Sequence, residues 1–332
     1  MKSRKNQNNH GKTAICFTGI ILLLIALFFI SLNIGGIQVS VKELFRGLFV
    51  EYDKNVATIY DLRFPRIFVA LLAGAAISAS GVLFQGVLKN PLADPGIIGV
   101  SSGSAFFTVV VSVFLPKLYV MLPIAALLGA AVAFVLVYSI SWKDGLSPVR
   151  IILVGVAIEA MFRGLTSAIG GIGGGNASGA AAIVNGNITL MTWEDVKVLS
   201  VCILIGLLLA LLQIPSCNYM GLEDKNVRGL GININLRRIL CSLTGVLLAG
   251  ISAGYVGSIS FLGLLAPHLA RIFVGGNHKQ LLPFSMLLGS FLLLFADTVG
   301  RYIAYPQEIS ATVIMSVIGG PFFIFMLKRS KG

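Results

Sequence analysis

From Ile67 to Leu88 the chain runs for 22 residues without a charged side chain, and this limits the possible folds more than any other feature. A helix of that length, rising 1.5 Å per residue, matches the roughly 30 Å hydrocarbon core of a bilayer. Arg63, Pro65 and Arg66 precede the run; Lys89-Asn90-Pro91 and Asp94-Pro95-Gly96 break it before a second apolar run starts. The pattern reads as a span, a tight polar turn and another span. Gly74 with Ser78, Ala75 with Ala79 and Ala76 with Ser80, followed by Gly81, put small residues four apart. In lipid, where apolar surface gives helices no reason to associate, such spacing serves close backbone packing.

Nine further apolar stretches give ten candidate spans, at about 14–34, 67–88, 97–115, 121–141, 149–170, 197–214, 239–257, 260–275, 281–304 and 309–327. With 56% hydrophobic and 11% charged residues, the expected fold is an all-α integral membrane protein. It forms one polytopic domain over 1–332, with about ten transmembrane helices. The basic start followed by an apolar run resembles a signal peptide, but that run is too long and no small-x-small cleavage pattern follows. Residues 1–13 are therefore expected as a tail before an uncleaved first span.

A net charge of +12 can mark nucleic-acid binding, yet here Lys and Arg sit in short loops between apolar runs. They orient the chain in a bilayer instead. Most of the 25 basic residues fall on the side of the amino terminus, which predicts both termini in the cytoplasm, an even number of spans and a place in the cytoplasmic membrane. The four cysteines show no C-x-x-C spacing and read as small buried hydrophobes.

Two connections are long. The outer one, from Gly170 to Val196, opens with a glycine-rich run but lacks the G-K-[ST] ending of a phosphate loop, and no Walker A pattern occurs in the chain. Asn176 and Asn187 match glycosylation sequons of the kind that arise by chance. The inner one, 215–238, reads as a short helix from Leu222 to Arg228 stopped by Gly229 and Gly231, then a returning helix. It is too short for a domain and too patterned for a linker, which suits a docking surface. The seventh span carries Gly245, Ala249, Ala253 and Gly257 as a packing stripe. His268 and Arg271 share a helix face beyond Pro267; a lone histidine without spaced partners is read as structural, and no metal site is expected.

Each charge within a span costs about 2.5–3.5 kcal/mol on insertion scales. Glu159 with Arg163, and Asp297 with Arg301, are acid-then-base pairs four residues apart, so local pairing offsets part of that cost. Asp297 and Arg301 are expected near the outer mouth, exposed to water. Glu159 and Arg163 should lie deeper, where they either pair locally or face a pathway.

Taken together, DLRFPR, NPLADPGIIGVSSGS, GLLAPHLAR, LLLFADTVGR and PQEISATVIMSVIGGPFFIFMLKR resemble the permease subunit of type II ABC importers, the family that takes up ferric siderophores, haem and cobalamin. The resemblance implies ten spans and a pair of permease subunits, identical or paralogous, with the pathway between them. Two cytoplasmic ATPase subunits would hold ATP and magnesium, so this chain binds no cofactor. An extracytoplasmic substrate-binding lipoprotein would complete the system. By position, Arg63, Arg66 and Arg301 would receive carboxylates of the binding protein. Gly221, Leu222, Glu223, Asp224, Arg228, Gly229 and Leu230 would form the coupling helix seated in the ATPase. Asn90, Pro91 and Leu92, with Ser147 and Pro148, would form the inner gate. The chain departs from the family at Glu159 and Arg163, and at Ile183 to Asn187 ahead of Trp193.

On this reading the chain moves an iron complex and catalyses no reaction. One rival is a secondary transporter driven by an ion gradient, which would need an inverted repeat. Another is a membrane enzyme built on His268, which would need converging acids. Cobalamin stays open as cargo.

Overall fold

The computed structural model describes residues 2–96, 98–141, 148–172, 188–189 and 191–330. Among these, all regular structure is helical: α1 (Lys2–Asn33), α2 (Val41–Phe49), α3 (Lys54–Leu88), α4 (Val100–Phe114), α5 (Leu122–Ser141), α6 (Pro148–Ile172), α7 (Trp193–Leu212), α8 (Ile214–Met220), α9 (Asp224–Gly229), α10 (Ile234–Val256), α11 (Leu262–Val274), α12 (His278–Ile303) and α13 (Ala311–Ser330). Seven of them, α1, α3, α5, α6, α7, α10 and α12, are long and apolar enough to cross a membrane; α4, α11 and the apolar part of α13 are shorter. At 1.5 Å per residue α4 reaches only about 22 Å. The backbone ahead of it, from Ala93 to Gly96, is buried, the setting in which non-helical chain is tolerated at membrane depth. The second half of the turn after α3 is thus packed into protein, while Lys89 and Pro91 at its start are exposed.

The core is α3. Over its most apolar 18 residues, 83% are buried, against 22% for α1, which turns Ile15, Leu22 and Ile30 outward as a lipid-facing helix does. Helix α3 packs first against α12, then α10, α7 and α11. At the α3–α12 crossing a Cβ on Gly74 would collide with the Gly289 carbonyl, and one on Gly289 with that of Gly74. Ser78 Oγ donates to Ser285 O at 2.7 Å and Ser290 Oγ to Leu71 O at 2.7 Å. Gly81 meets Gly263 as closely, and Gly245 lies against the Phe84 ring while Ser80 Oγ donates to Gly245 O at 2.8 Å. Small residues here let backbones touch and let hydroxyls reach across helices.

Three elements depart from the expected boundaries. Helix α3 begins at Lys54, capped by Asp53 accepting from Val56 N at 2.9 Å, so the basic stretch before the apolar run is already helical. Gly257 does not extend the stripe of Ala249 and Ala253, both buried. It ends α10 at φ 71°, ψ −172°, a conformation essentially restricted to glycine. The expected inner helix starts at Asp224 instead of Leu222, and a helix, α8, with Pro215 in its first turn precedes it.

Candidate functional site

Helix α3 joins two polar sites, one around Arg66 and one around Lys89, about 35 Å apart along its axis. At the first, Arg66 is buried with its guanidinium forked between two acids. Nε donates to Asp297 Oδ1 at 3.0 Å, Nη2 to the same oxygen at 2.7 Å, and Nη1 to Glu308 Oε2 at 2.9 Å. Thr189 Oγ1 donates to Glu308 Oε2 at 2.7 Å, tying in the segment ahead of α7. Arg301, one turn beyond Asp297, closes the set with Nε 3.3 Å from Asp297 Oδ2. Two arginines balance two carboxylates, as buried charge requires. The expected exposure of Asp297 and Arg301 is therefore corrected: they are 1% and 7% exposed. What supports them is Arg66, whose distance in sequence hid the pairing.

The remaining donors go to the end of α1. Arg301 Nη2 donates to Ser31 O at 3.1 Å and Nη1 to Ile34 O at 3.4 Å, while Arg63 Nη1 donates to Ile37 O at 2.8 Å and to Leu32 O. The last carbonyls of a helix have no partner within it and carry partial negative charge, so the two arginines cap α1. Of the three arginines expected to face a binding protein, all are engaged within the chain in this structure.

Beside this network lies a cavity of about 610 Å³. Arg66, Asp297 and Glu308 form part of its wall; Ser102, Thr166, Ser258, Ser260, Thr312 and Ser316 line it with hydroxyls, and Arg163 reaches it from α6. Arg163 Nη2 lies 2.8 Å from Glu159 Oε1, so the expected local pair forms and its basic member also borders the cavity. Burial pushes the Glu308 carboxyl up, but hydrogen bonds from Thr189 and Arg66 outweigh it and hold the group below the ordinary glutamate value. Sequence reasoning passed over Glu308 and Thr189. The only hint was an acid in a short polar loop between two apolar runs.

At the other site Lys89 ends α3 in the left-handed conformation, φ 49°. Its Nζ donates to Leu222 O at 2.6 Å and Asp224 Oδ1 at 2.9 Å, and Arg238 Nη2 donates to the same Asp224 oxygen at 3.0 Å. The hydrogen bond from Lys89 leads the causes that hold the Asp224 carboxyl below its usual value. Helix α9 is anchored by Val227, which is fully buried, while Leu222 and Leu230 are exposed, as are Gly221, Glu223, Arg228 and Gly229. Asn90 and Pro91 line a smaller cavity of about 300 Å³ with Gln85, Arg271, His278 and Gly221. Asn90 Oδ1 accepts from Leu92 N at 2.9 Å. Arg271 Nη2 donates to Gln85 Oε1 at 3.1 Å, and the His268 ring sits edge-on to Phe322. Ser147, the Pro148 side chain, Asn176 and the stretch from Ile183 to Asn187 lie outside the described residues.

The sequence profile of the FecCD transport family matches residues 23–329. The chain belongs to the FecCD transport family. This FecCD chain is 37% identical over 320 residues, 96% of its own length and 97% of the relative's, to a Staphylococcus aureus (strain Newman) protein named "Probable heme-iron transport system permease protein IsdF". Among solved structures it resembles an inward-facing metal-chelate type ABC transporter, with a TM-score of 0.81, 32% identity and coverage of 95% of this chain and 99% of that one. PsaBC from Streptococcus pneumoniae, at TM-score 0.57 and 17% identity over 86% of this chain and 95% of that one, shares the fold alone. The FecCD chain is a multi-pass permease subunit of an ABC importer in the cytoplasmic membrane, and it is not itself an enzyme.

Proposed function

We propose that this chain, paired with a second permease subunit, conducts an organic iron complex inward through the hydroxyl-lined cavity. The related S. aureus protein is named for haem-iron and the structural neighbour for metal chelates; a metal held in an organic ligand is the chemistry they share, and the relative's name makes that metal iron. In this reading α4, α11 and α13 join the seven longer helices to give ten crossings, with both termini in the cytoplasm. The observation that carries the reading is that one buried helix, α3, supplies both Arg66 at the polar cavity and Lys89 at the exposed coupling surface.

An extracytoplasmic binding protein docks at the Arg66 end. Since Arg66 already holds Asp297 and Glu308, its carboxylates dock by exchange, competing with Glu308, the more exposed acid, and so loosening the loop before α13. At the opposite end residues 221–230 seat in a cytoplasmic ATPase that holds ATP and magnesium. Movement there reaches Asn90, Pro91 and Leu92 through the Lys89–Asp224 bond, and the gate opens by rigid-body shifts. The permease pair is two copies of this chain or this chain with a paralogue.

The test is labelled uptake by cells lacking the chain, supplied in turn with ferric hydroxamate, ferric catecholate, haem and cobalamin. Loss on one iron complex names the cargo. Loss on cobalamin alone would move the cargo outside iron chemistry, and uptake unchanged on all four, with no paralogue present, would overturn the reading in favour of an ion-driven transporter.

A further inference from the structure

Helix α2 is not used by any of this, and its surface is unusual. Ser40 caps it, accepting from Glu43 N at 3.2 Å while Ser40 N donates to Glu43 Oε2 at 2.7 Å, so a nine-residue helix is fixed at its start. One side packs on the first turns of α3: Leu44 is buried, and Gly47 sits so close that a Cβ would lie 2.6 Å from Val56 Cγ2. Among the described residues the adjoining side is left exposed. Val41, Phe45 and Phe49, four residues apart, are 50%, 56% and 78% exposed, and the two rings stack at 6.1 Å. Val50 and Tyr52 continue the patch. Beyond it around the helix come Lys42 and Arg46, both exposed. Arg46 pairs with Glu51, while Lys42 has no ion pair among the described residues.

The level of α2 along α3 identifies what covers this face. One turn below Val56, Tyr60 lies against Trp193 with ring centroids 4.8 Å apart, and Trp193 Nε1 donates to Tyr60 O at 3.1 Å. Trp and Tyr gather where hydrocarbon gives way to headgroups, so these rings mark the boundary. Val56, and α2 upon it, stand about 6 Å farther out, at headgroup height. A helix with an apolar strip flanked by Lys and Arg is the form that lies in a membrane surface, with apolar side chains reaching about 5–10 Å into the boundary.

We infer that α2 is an interfacial helix: Val41, Phe45 and Phe49 insert between phospholipids and Lys42 meets headgroup phosphates. The exposed patch is then part of the lipid-facing surface that α1 begins, and α2 holds the Arg63 and Arg66 turns of α3 at a fixed depth below the headgroups.

The test uses the full chain with Cys16, Cys202, Cys217 and Cys241 replaced by alanine, in phosphatidylethanolamine–phosphatidylglycerol vesicles, carrying a nitroxide at Phe45→Cys or, for comparison, Glu51→Cys. The ratio of accessibility to oxygen over a water-soluble nickel chelate should be several-fold higher at position 45. An equal ratio at both positions, or shielding of position 45 from both reagents as in a protein contact, would overturn the inference. Should the cysteine-free chain not fold, Phe45→Trp in the otherwise native chain gives a second reading. The added fluorescence should be quenched by brominated lipid; quenching by aqueous iodide instead overturns the inference.

Discussion

Arg66 and Asp297 stand 231 residues apart in the chain, yet two guanidinium nitrogens of the first lie 3.0 and 2.7 Å from one carboxylate oxygen of the second. Asp297→Ala leaves Arg66 and Arg301 facing each other without their shared acid. Removing one member of a buried ion pair costs about 3–5 kcal/mol, so the variant should show a marked fall in thermal midpoint in detergent or fail to accumulate. Glu308→Gln, at a half-exposed acid, should fall by much less.

The same geometry changes the obvious docking test. Reversing Arg63 and Arg66 to glutamate would place new carboxylates beside Asp297, Glu308 and the α1 carbonyls, and loss of uptake would follow from misfolding alone. Glu308→Gln separates the two, because it weakens the internal competitor and keeps Arg66 paired with Asp297. Under docking by exchange it should tighten binding-protein association with the reconstituted permease; unchanged or weaker association, measured by surface binding, would count against exchange.

Gly74→Val should block the α3–α12 crossing, since there is no room beside the Gly289 carbonyl. Overpacking typically costs about 1–3 kcal/mol, and here backbone, not a movable side chain, is the obstacle. Gly164→Val, with nothing within 4 Å of its Cβ position, should fold normally. Yield of monodisperse protein distinguishes the two.

Lys89 and Asp224 are partly exposed, and such pairs contribute about 0–1 kcal/mol. Asp224→Ala should therefore leave the fold intact while reducing the uptake obtained per ATP hydrolysed by the reconstituted transporter. Leu222→Asp and Leu230→Asp should reduce ATPase co-purification without lowering thermal stability.

Acid should act on the same contact. The folded Asp224 carboxyl titrates below its ordinary value because Lys89 donates to it. Its contribution is complete above the unfolded value, about pH 4, and is lost as pH falls through the lowered folded value. The thermal midpoint of Asp224→Asn should accordingly change less than that of the unsubstituted chain over that acid window.

The apolar runs made nearly all the long helices legible, because burial in lipid is written in composition. The α3 boundary was not: Lys54 to Arg66 looks like a loop on hydropathy, and only the Asp53 cap and a continuous helix behind Pro65 make it otherwise. Asp297 with Arg301 was legible as a pair because four residues is one helical turn. The larger partner, Arg66, was not, since nothing local in sequence encodes which faces of α3 and α12 meet. Gly257 fitted a four-residue repeat and still proved to be a stop, because a glycine's spacing does not reveal its φ.

The close crossing at Gly74 and Gly289 gives α3 the mechanics of a lever. Arg66 lies eight residues to one side of that fulcrum and Lys89 fifteen to the other, or about 12 and 22 Å of rigid helix. A tilt about the crossing moves the two ends in opposite directions, the Lys89 end roughly twice as far. A small displacement among the arginines is thus geared up at the Lys89 end, and a stroke delivered to that end arrives at the cavity halved.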